Sequence, residues 1–257
     1  MIVNADDLGY DEATNAAIVE SLERGYCSST TILANMPGFD DACRLAQENG
    51  LTGRVGVHLN VCEGMPLTEA IRGCPRFFHS DTGLGLRRDR RVLALSRLER
   101  DALAAELRAQ AAACRQRGMA LTHADSHRHA HEEWAIASVV LRVCREEGIP
   151  FLRLARNCGP ARRRINRAYR RLLNARIARA GLARTRYFGS LADGAHLAAA
   201  RHTRAADLPI EIMVHPVYDR EGRLIDSTTE RLLSEWDSEL GLRGVGVSFA
   251  GMPFGGG

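Results

Sequence analysis

The densest chemical signal in the chain is the run THADSHRHAHEE. It sets His123, Asp125, His127, His129 and His131 at alternate positions, and it holds four of the nine histidines. On an extended backbone these odd-numbered side chains share one face. Five ionisable groups crowded there would repel one another and lose water unless something binds them. A divalent cation is the simplest occupant, because neutral imidazole and carboxylate are among its usual ligands. A solvated, His-rich loop is the plainer alternative.

Other polar groups follow short apolar runs in the same way. Asp6-Asp7 follows Ile2-Val3-Asn4-Ala5, His58-Leu59-Asn60 follows RVGV, and His215-Pro216 follows Ile210 to Val214. If those runs are strands, the groups lie at carboxyl ends, where α/β sheets and barrels build their sites. One Asp and two His from separate strands form a facial triad that leaves metal positions open to water and substrate. A metal so held lowers the pKa of bound water and polarises a carbonyl or phosphoryl oxygen. Taken alone, Asp6-Asp7 reads equally well as a cap or surface charge, and His215 as a core histidine. Arg153 and Arg156 can bind an anionic substrate group, hold Asp6 ionised, or form a structural ion pair.

The elements that must position these groups are legible as alternating periods. Strands are expected at residues 2–5, 29–35, 54–60, 121–126, 151–155, 210–214 and 245–249. Helices are expected from Asp11 to Arg24, at 40–49, from the Ser96/Glu99 capping box to about 117, at 132–147 and at 228–240. That alternation is the α/β pattern, with a parallel sheet open or closed into a barrel. A length of 257 residues suits seven or so β/α units of a TIM-like barrel. No composition break marks a boundary, so residues 1–257 read as one domain, with a loop-like excursion at 61–95 and an Arg-rich segment near 160–190.

Composition removes several function classes. All 35 basic residues are Arg, which excludes Schiff-base lysines and a P-loop lysine. A net charge of +4 does not by itself argue for nucleic acid. The seven cysteines contain no C-x-x-C pair and read as small buried hydrophobes. No apolar run approaches the roughly 20 residues of a membrane span. The opening MIVNADD lacks a basic flank, so a cytoplasmic location is expected. Between Arg162 and Arg186 lie ten Arg and no acid, with Ile165, Tyr169, Leu172, Leu173 and Ile177 giving an apolar side. This segment reads as an exposed helix, a homodimer contact or a lid, or as a binder of anionic partners.

The ordered set Asn4-Ala5-Asp6-Asp7-Leu8-Gly9, Ser29-Thr30-Thr31, Gly56-Val57-His58-Leu59-Asn60, Asp125-Ser126-His127-x-His129-x-His131 and Met213-Val214-His215-Pro216 resembles the YdjC/ChbG-type carbohydrate deacetylases. Each motif is short, but their order is specific and spans residues 4 to 216. The resemblance implies a distorted TIM-like barrel of about seven parallel strands. It also implies a hydrolase that removes N-acetyl groups from small amino sugars with a divalent metal, Mg²⁺ or Zn²⁺. By the same likeness Asp7, His58 and His127 are metal ligands, Asp6 the general base and His215 the general acid. Asn60, Asp125, His129, His131, Arg153 and Arg156 then serve substrate or ligand positioning. Rival readings are another amide or a phosphoester as substrate, or a non-catalytic protein that binds an anionic ligand through the Arg-rich segment.

Overall fold

The computed structural model describes residues 1–86, 91–159, 164–243 and 249. Six parallel strands form the central sheet: β1 Ile2–Leu8, β2 Ser29–Ile32, β3 Val55–Leu59, β6 Ala124–Ser126, β7 Tyr187–Ser190 and β8 Ile210–Val214. They pair in the order β6-β3-β2-β1-β8-β7. A short antiparallel pair, β4 Phe78–His79 and β5 Gly83–Leu84, lies in the excursion after β3, and a ribbon of β9 Pro216–Tyr218, β10 Leu224–Asp226 and β11 Arg231–Leu232 follows β8. The helices are α1 Glu12–Glu23, α2 Phe39–Glu48, α3 Glu69–Arg72, α4 Arg97–Gln116, α5 Trp134–Glu146, α6 Arg164–Arg179, α7 Leu191–Arg201 and α8 Leu233–Leu240.

The helices close the hydrophobic core against the sheet. In α5, Ile136, Val139, Val140 and Val143 recur at helical spacing and are all buried. Asp11 caps α1 through Thr14 N, and the Ser96/Glu99 capping box opens α4 as its sequence predicts. All seven cysteines are thiols, and burial pushes Cys27 and Cys144 up to about 12, so they pack as apolar groups.

Several expectations are corrected. The strand at 151–155 is reduced to two single bridges, Ala124↔Leu152 and Phe151↔Ala183. Asn174 of α6 takes both backbone groups of Ala155, which ends any ladder there. The segment still touches both edges of the sheet: Arg153 N donates to Ala124 O beside β6, and Asn157 N donates to Phe188 O in β7. The sheet is therefore curled. The strand at 121–126 begins only at Ala124, because Leu121 sits at φ 51. The helix at 228–240 begins at Leu233, since the preceding residues turn around Asp226 and enter β11. β7 and α7 were not foreseen. The strand at 245–249 lies outside the described residues except for Phe249, which stacks on His123 at 3.8 Å.

The concave side of the curl is polar. Asn4, Asp6, Thr31, His58, His123, Asp125, Arg153 and Glu211 are all buried there, joined by hydrogen bonds and ion pairs. Gly56 makes room for one of them. A Cβ on Gly56 would stand 2.5 Å from His123 Nδ1 and from its backbone oxygen. Gly56→Ala is expected to cost about 1–3 kcal/mol by overpacking, read as a lower urea midpoint with an unchanged slope.

Candidate active site

Asp6 and Asp7 are neighbours, and a regular strand would send them to opposite faces. Here the pairing of β1 with β2 shifts register between Ala5 and Leu8, and Asp7 takes φ 74. A bulge of this kind re-aims a side chain, and Asp is among the residues that tolerate the left-handed region. Both carboxylates thereby serve one rim. Asp6 meets Arg153, while Asp7 meets His58 and His127.

Asp7, His58 and His127 each offer a ligand atom within 4.8 Å of the other two. Asp7 Oδ1 lies 3.2 Å from His58 Nε2 and 2.8 Å from His127 Nδ1. The far nitrogen of His58, Nδ1, lies 2.6 Å from Asp125 Oδ1 and 3.1 Å from Thr31 Oγ1. A carboxylate behind a ligand imidazole is the usual support of a metal-bound histidine. Burial by itself would lower the His58 pKa, but Asp125 and Asp7 override it and raise it to about 10. Burial would raise Asp7, yet hydrogen bonds with His127 and His58 hold it well below the usual carboxylate range. Carboxylates that draw a proton onto a buried imidazole equally favour a cation in its place. The donor set of one carboxylate oxygen and two imidazole nitrogens fits a divalent ion.

A second trio, Asp6, His58 and Asp125, also converges. Arg153 already supplies its positive charge: Nη1 lies 2.6 Å from Asp6 Oδ2 and 2.7 Å from Asp125 Oδ2. Arg153 is wholly buried and also meets Glu211 Oε1 at 2.5 Å through Nε. Three carboxylates thus share one guanidinium. Burial would raise Asp6, but the Arg153 fork, with bonds of 2.6 and 2.7 Å, holds it ionised and low. For Glu211 burial wins, and its carboxyl rises to about 7.

His215 faces Asp6, with Nε2 3.9 Å from Asp6 Oδ2. Its backbone N donates to Asp226 Oδ1 at 2.9 Å, and Thr228 Oγ1 lies 3.2 Å from its Nδ1. Burial would lower this imidazole, whereas Asp226, Asp6 and Asp7 raise it above its ordinary value.

The remaining sequence candidates divide. The expectation that five odd-numbered groups share a face fails, because the strand ends at Ser126 and His127–Glu132 forms a 3₁₀ turn with Arg128 and His129 at positive φ. Three of the four histidines of the run lie outside the triad. His123 bonds Asn4 Oδ1 at 2.9 Å, and burial, then Arg153, keeps it neutral. His131 Nδ1 lies 2.6 Å from Ser126 Oγ, and His129 packs on Phe188. Asn60 is buried and organises the loop after β3 instead of facing the triad: its Oδ1 accepts from Cys62 N and Glu63 N. Arg156 pairs with Asp193 at the start of α7.

Sequence reasoning missed several groups that the site uses. Glu63 hydrogen-bonds His127 Nε2, Tyr10 Oη comes within 3.5 Å of Glu63, and Asp226 holds the His215 backbone. Nothing in the spacing of Glu63 or Asp226 marks them. Thr31 was visible in the STT motif, but its bond of 3.1 Å to Asp125 Oδ2 was not.

Comparison with known proteins places the chain in a family. A family model described as YdjC-like protein matches residues 1–241. A carbohydrate deacetylase of Halalkalibacterium halodurans is 31% identical over 238 residues, covering 92% of this chain and 93% of that protein. One from Brevibacillus brevis is 36% identical over 151 residues, covering 58% of this chain and 57% of that protein. A crystal structure of a protein from Enterococcus faecalis V583, described there only as a candidate for cellobiose-phosphate cleavage, superposes with a TM-score of 0.63 over 95% of this chain and 87% of that one. At 21% identity this last likeness speaks for the fold alone. With the ordered motifs, the curled sheet and a match over nearly the whole length, the chain belongs to the YdjC-like protein family.

Proposed function

We propose that this chain is a metal-dependent hydrolase that removes the N-acetyl group from an amino sugar or a short acetylated glycan. The observation that carries the reading is the convergence of Asp7, His58 and His127 beside a carboxylate, Asp6, and a further imidazole, His215. The relatives named carbohydrate deacetylase support it. We read residues 1–257 as one domain and the 151–155 segment as the closing stave of a distorted barrel.

A divalent cation bound by Asp7, His58 and His127 supplies Lewis acidity toward the acetyl carbonyl and lowers the pKa of water. Two imidazoles among three ligands favour Zn²⁺ over Mg²⁺, which prefers oxygen. Asp6 accepts the proton of the attacking water at Oδ2, and Arg153 keeps that carboxylate ionised until then. His215 gives its Nε2 proton to the departing amine, and Asp226, Asp6 and Asp7 favour that protonated form by raising its pKa above the ordinary histidine value. Asp125 and Thr31 hold the His58 ring. Acetate and a free amine result, with no covalent enzyme intermediate.

The direct test is acetate release from N-acetylglucosamine oligomers, before and after chelation. Release that chelator stops and added Zn²⁺ restores is expected; chelator-insensitive release would remove the metal from the reading. His215→Ala is expected to lower kcat by about 10²–10⁴-fold. Because His215 must be protonated to act, its raised pKa sets the alkaline limb of the wild-type profile, and that limb should vanish in the variant.

One observation favours a second reading, binding of an anionic ligand. α6 buries Leu173 and Ile177 but leaves Ile165 and Leu172 exposed, and a cavity of about 620 Å³ between α5 and α6 is lined by Arg142, Arg145, Arg176 and Arg179 against a single acid, Glu146. Steeply salt-dependent binding to heparin, retained in His127→Ala, would support it.

A further inference from the structure

We propose that Glu63 is the positioning carboxylate of His127, and that the two imidazoles of the centre present opposite nitrogens to the cation: Nε2 from His58, Nδ1 from His127. The inference rests on the metal-centre reading above and adds a residue and a tautomer to it.

The two rings meet edge to face, with centroids 5.4 Å apart and planes at 72°. His58 turns Nε2 toward Asp7 and rests Nδ1 on Asp125. His127 does the reverse. Its Nδ1 lies 2.8 Å from Asp7 Oδ1, and its Nε2 is hydrogen-bonded to Glu63 Oε1. A neutral imidazole carries a single N–H, and an ionised carboxylate only accepts. Glu63 therefore fixes the proton on Nε2 and leaves the Nδ1 lone pair facing Asp7. Each ring is then backed by its own carboxylate, the arrangement that sets tautomer and orientation in metal sites.

The Glu63 backbone is held in place by a chain of side-chain amides, with Asn60 and Gln110 buried and Asn35 half-buried. Asn60 Nδ2 and Asn35 Nδ2 both donate to Glu63 O, at 2.9 and 3.1 Å. Asn60 is itself clamped by Gln110, which accepts from its backbone N at 2.9 Å and donates to its backbone O at 2.7 Å. Gln110 in turn donates to Glu106 at 3.0 Å, and Glu106 fixes Leu67 and Thr68. The start of the excursion after β3 is thus anchored on α4 at several points, and Glu63 sits on its inner side. Arg128 Nη2, 3.3 Å away, and the Tyr10 hydroxyl face the same carboxylate.

The test uses the full chain as wild type, Glu63→Ala and Glu63→Gln. Zn²⁺ affinity is measured by calorimetry, and the imidazole nitrogens are read by ¹⁵N NMR of the Zn²⁺-loaded, histidine-labelled protein. Expected are one imidazole ligating through Nε2 and one through Nδ1, the latter with its proton on Nε2. Zn²⁺ binding should weaken by roughly 10–100-fold in Glu63→Ala, with partial recovery in Glu63→Gln, which keeps an acceptor oxygen. Unchanged affinity in Glu63→Ala, or ligation by His127 through Nε2, overturns the inference alone. Absence of Zn²⁺ binding by the wild type overturns it together with the metal-centre reading.

Discussion

Asp7→Ala is expected to abolish deacetylation, with a fall of more than about 10⁴-fold. The argument is electrostatic. Arg153 is committed to Asp6, Asp125 and Glu211, and Asp7 is the carboxylate that touches both His58 and His127 and so balances a cation between them. Two neutral imidazoles alone bind a divalent ion weakly at a partly buried site. Without the cation, water ionises near its bulk pKa of about 15.7 instead of about 7, and no nearby group makes up that difference. The same change strains the backbone, since Asp7 sits at positive φ and Ala tolerates that region less well than Asp or Asn, so Asp7→Asn belongs beside it as the control. Both should lose the ion by calorimetry while keeping the far-ultraviolet circular dichroism of the wild type. Acetate release near the wild-type rate in Asp7→Asn would refute the assignment.

The largest effect on the fold is expected from Arg153→Met. A methionine approximates the arginine stem but leaves Asp6, Asp125 and Glu211 in a buried place with no guanidinium. Removing one member of a buried ion cluster typically costs about 3–5 kcal/mol. The pH dependence has a definite sign. In the wild type Arg153 holds Asp6 below its unfolded value, so that ionised carboxylate stabilises the fold above about pH 4. In the variant the burial penalty on Asp6 and Glu211 loses its largest counterweight, and both carboxyls shift upward, as Glu211 already does at about 7. The folded state then holds protons that the unfolded state has lost, and stability falls as pH rises from about 5 to 8. Urea midpoints across that range should separate variant from wild type most widely at the alkaline end. A constant gap would mean that lost packing, and not unpaired charge, dominates.

Much of this was legible in residue order, and the reasons differ by element. β1, β3 and β8 stood out because they are apolar runs ending in acids or histidines, and α1, α4 and α5 because caps and period agree. Strand-end positions marked where one acid and two imidazoles from separate strands could meet, and the family likeness singled out Asp7, His58 and His127 among them. Residues 187–190 escaped because YFGS is short and glycine-interrupted, although the Ser190/Asp193 capping box that opens α7 was there to read. The parity argument over His123–His131 assumed an extended chain, and tertiary contacts bent it after three strand residues. Arg153 was noticed, but its service to three carboxylates on three strands depends on a curl that no local pattern encodes. Glu63 depends on the path of a loop and Asp226 on the antiparallel ribbon after β8, and the periodicity read from the sequence reported neither.

The strand order carries a consequence for biosynthesis. β1 lies in the middle of the sheet, flanked on one side by β2 and on the other by β8, with Ile2 opposite Glu211. During translation β1 can join β2 early, but its other edge waits until residue 214 has emerged. Through most of elongation that edge is an open row of backbone donors and acceptors, the kind of surface that nascent chains shield with chaperones or lose to aggregation. Slow, late completion is therefore built into the topology.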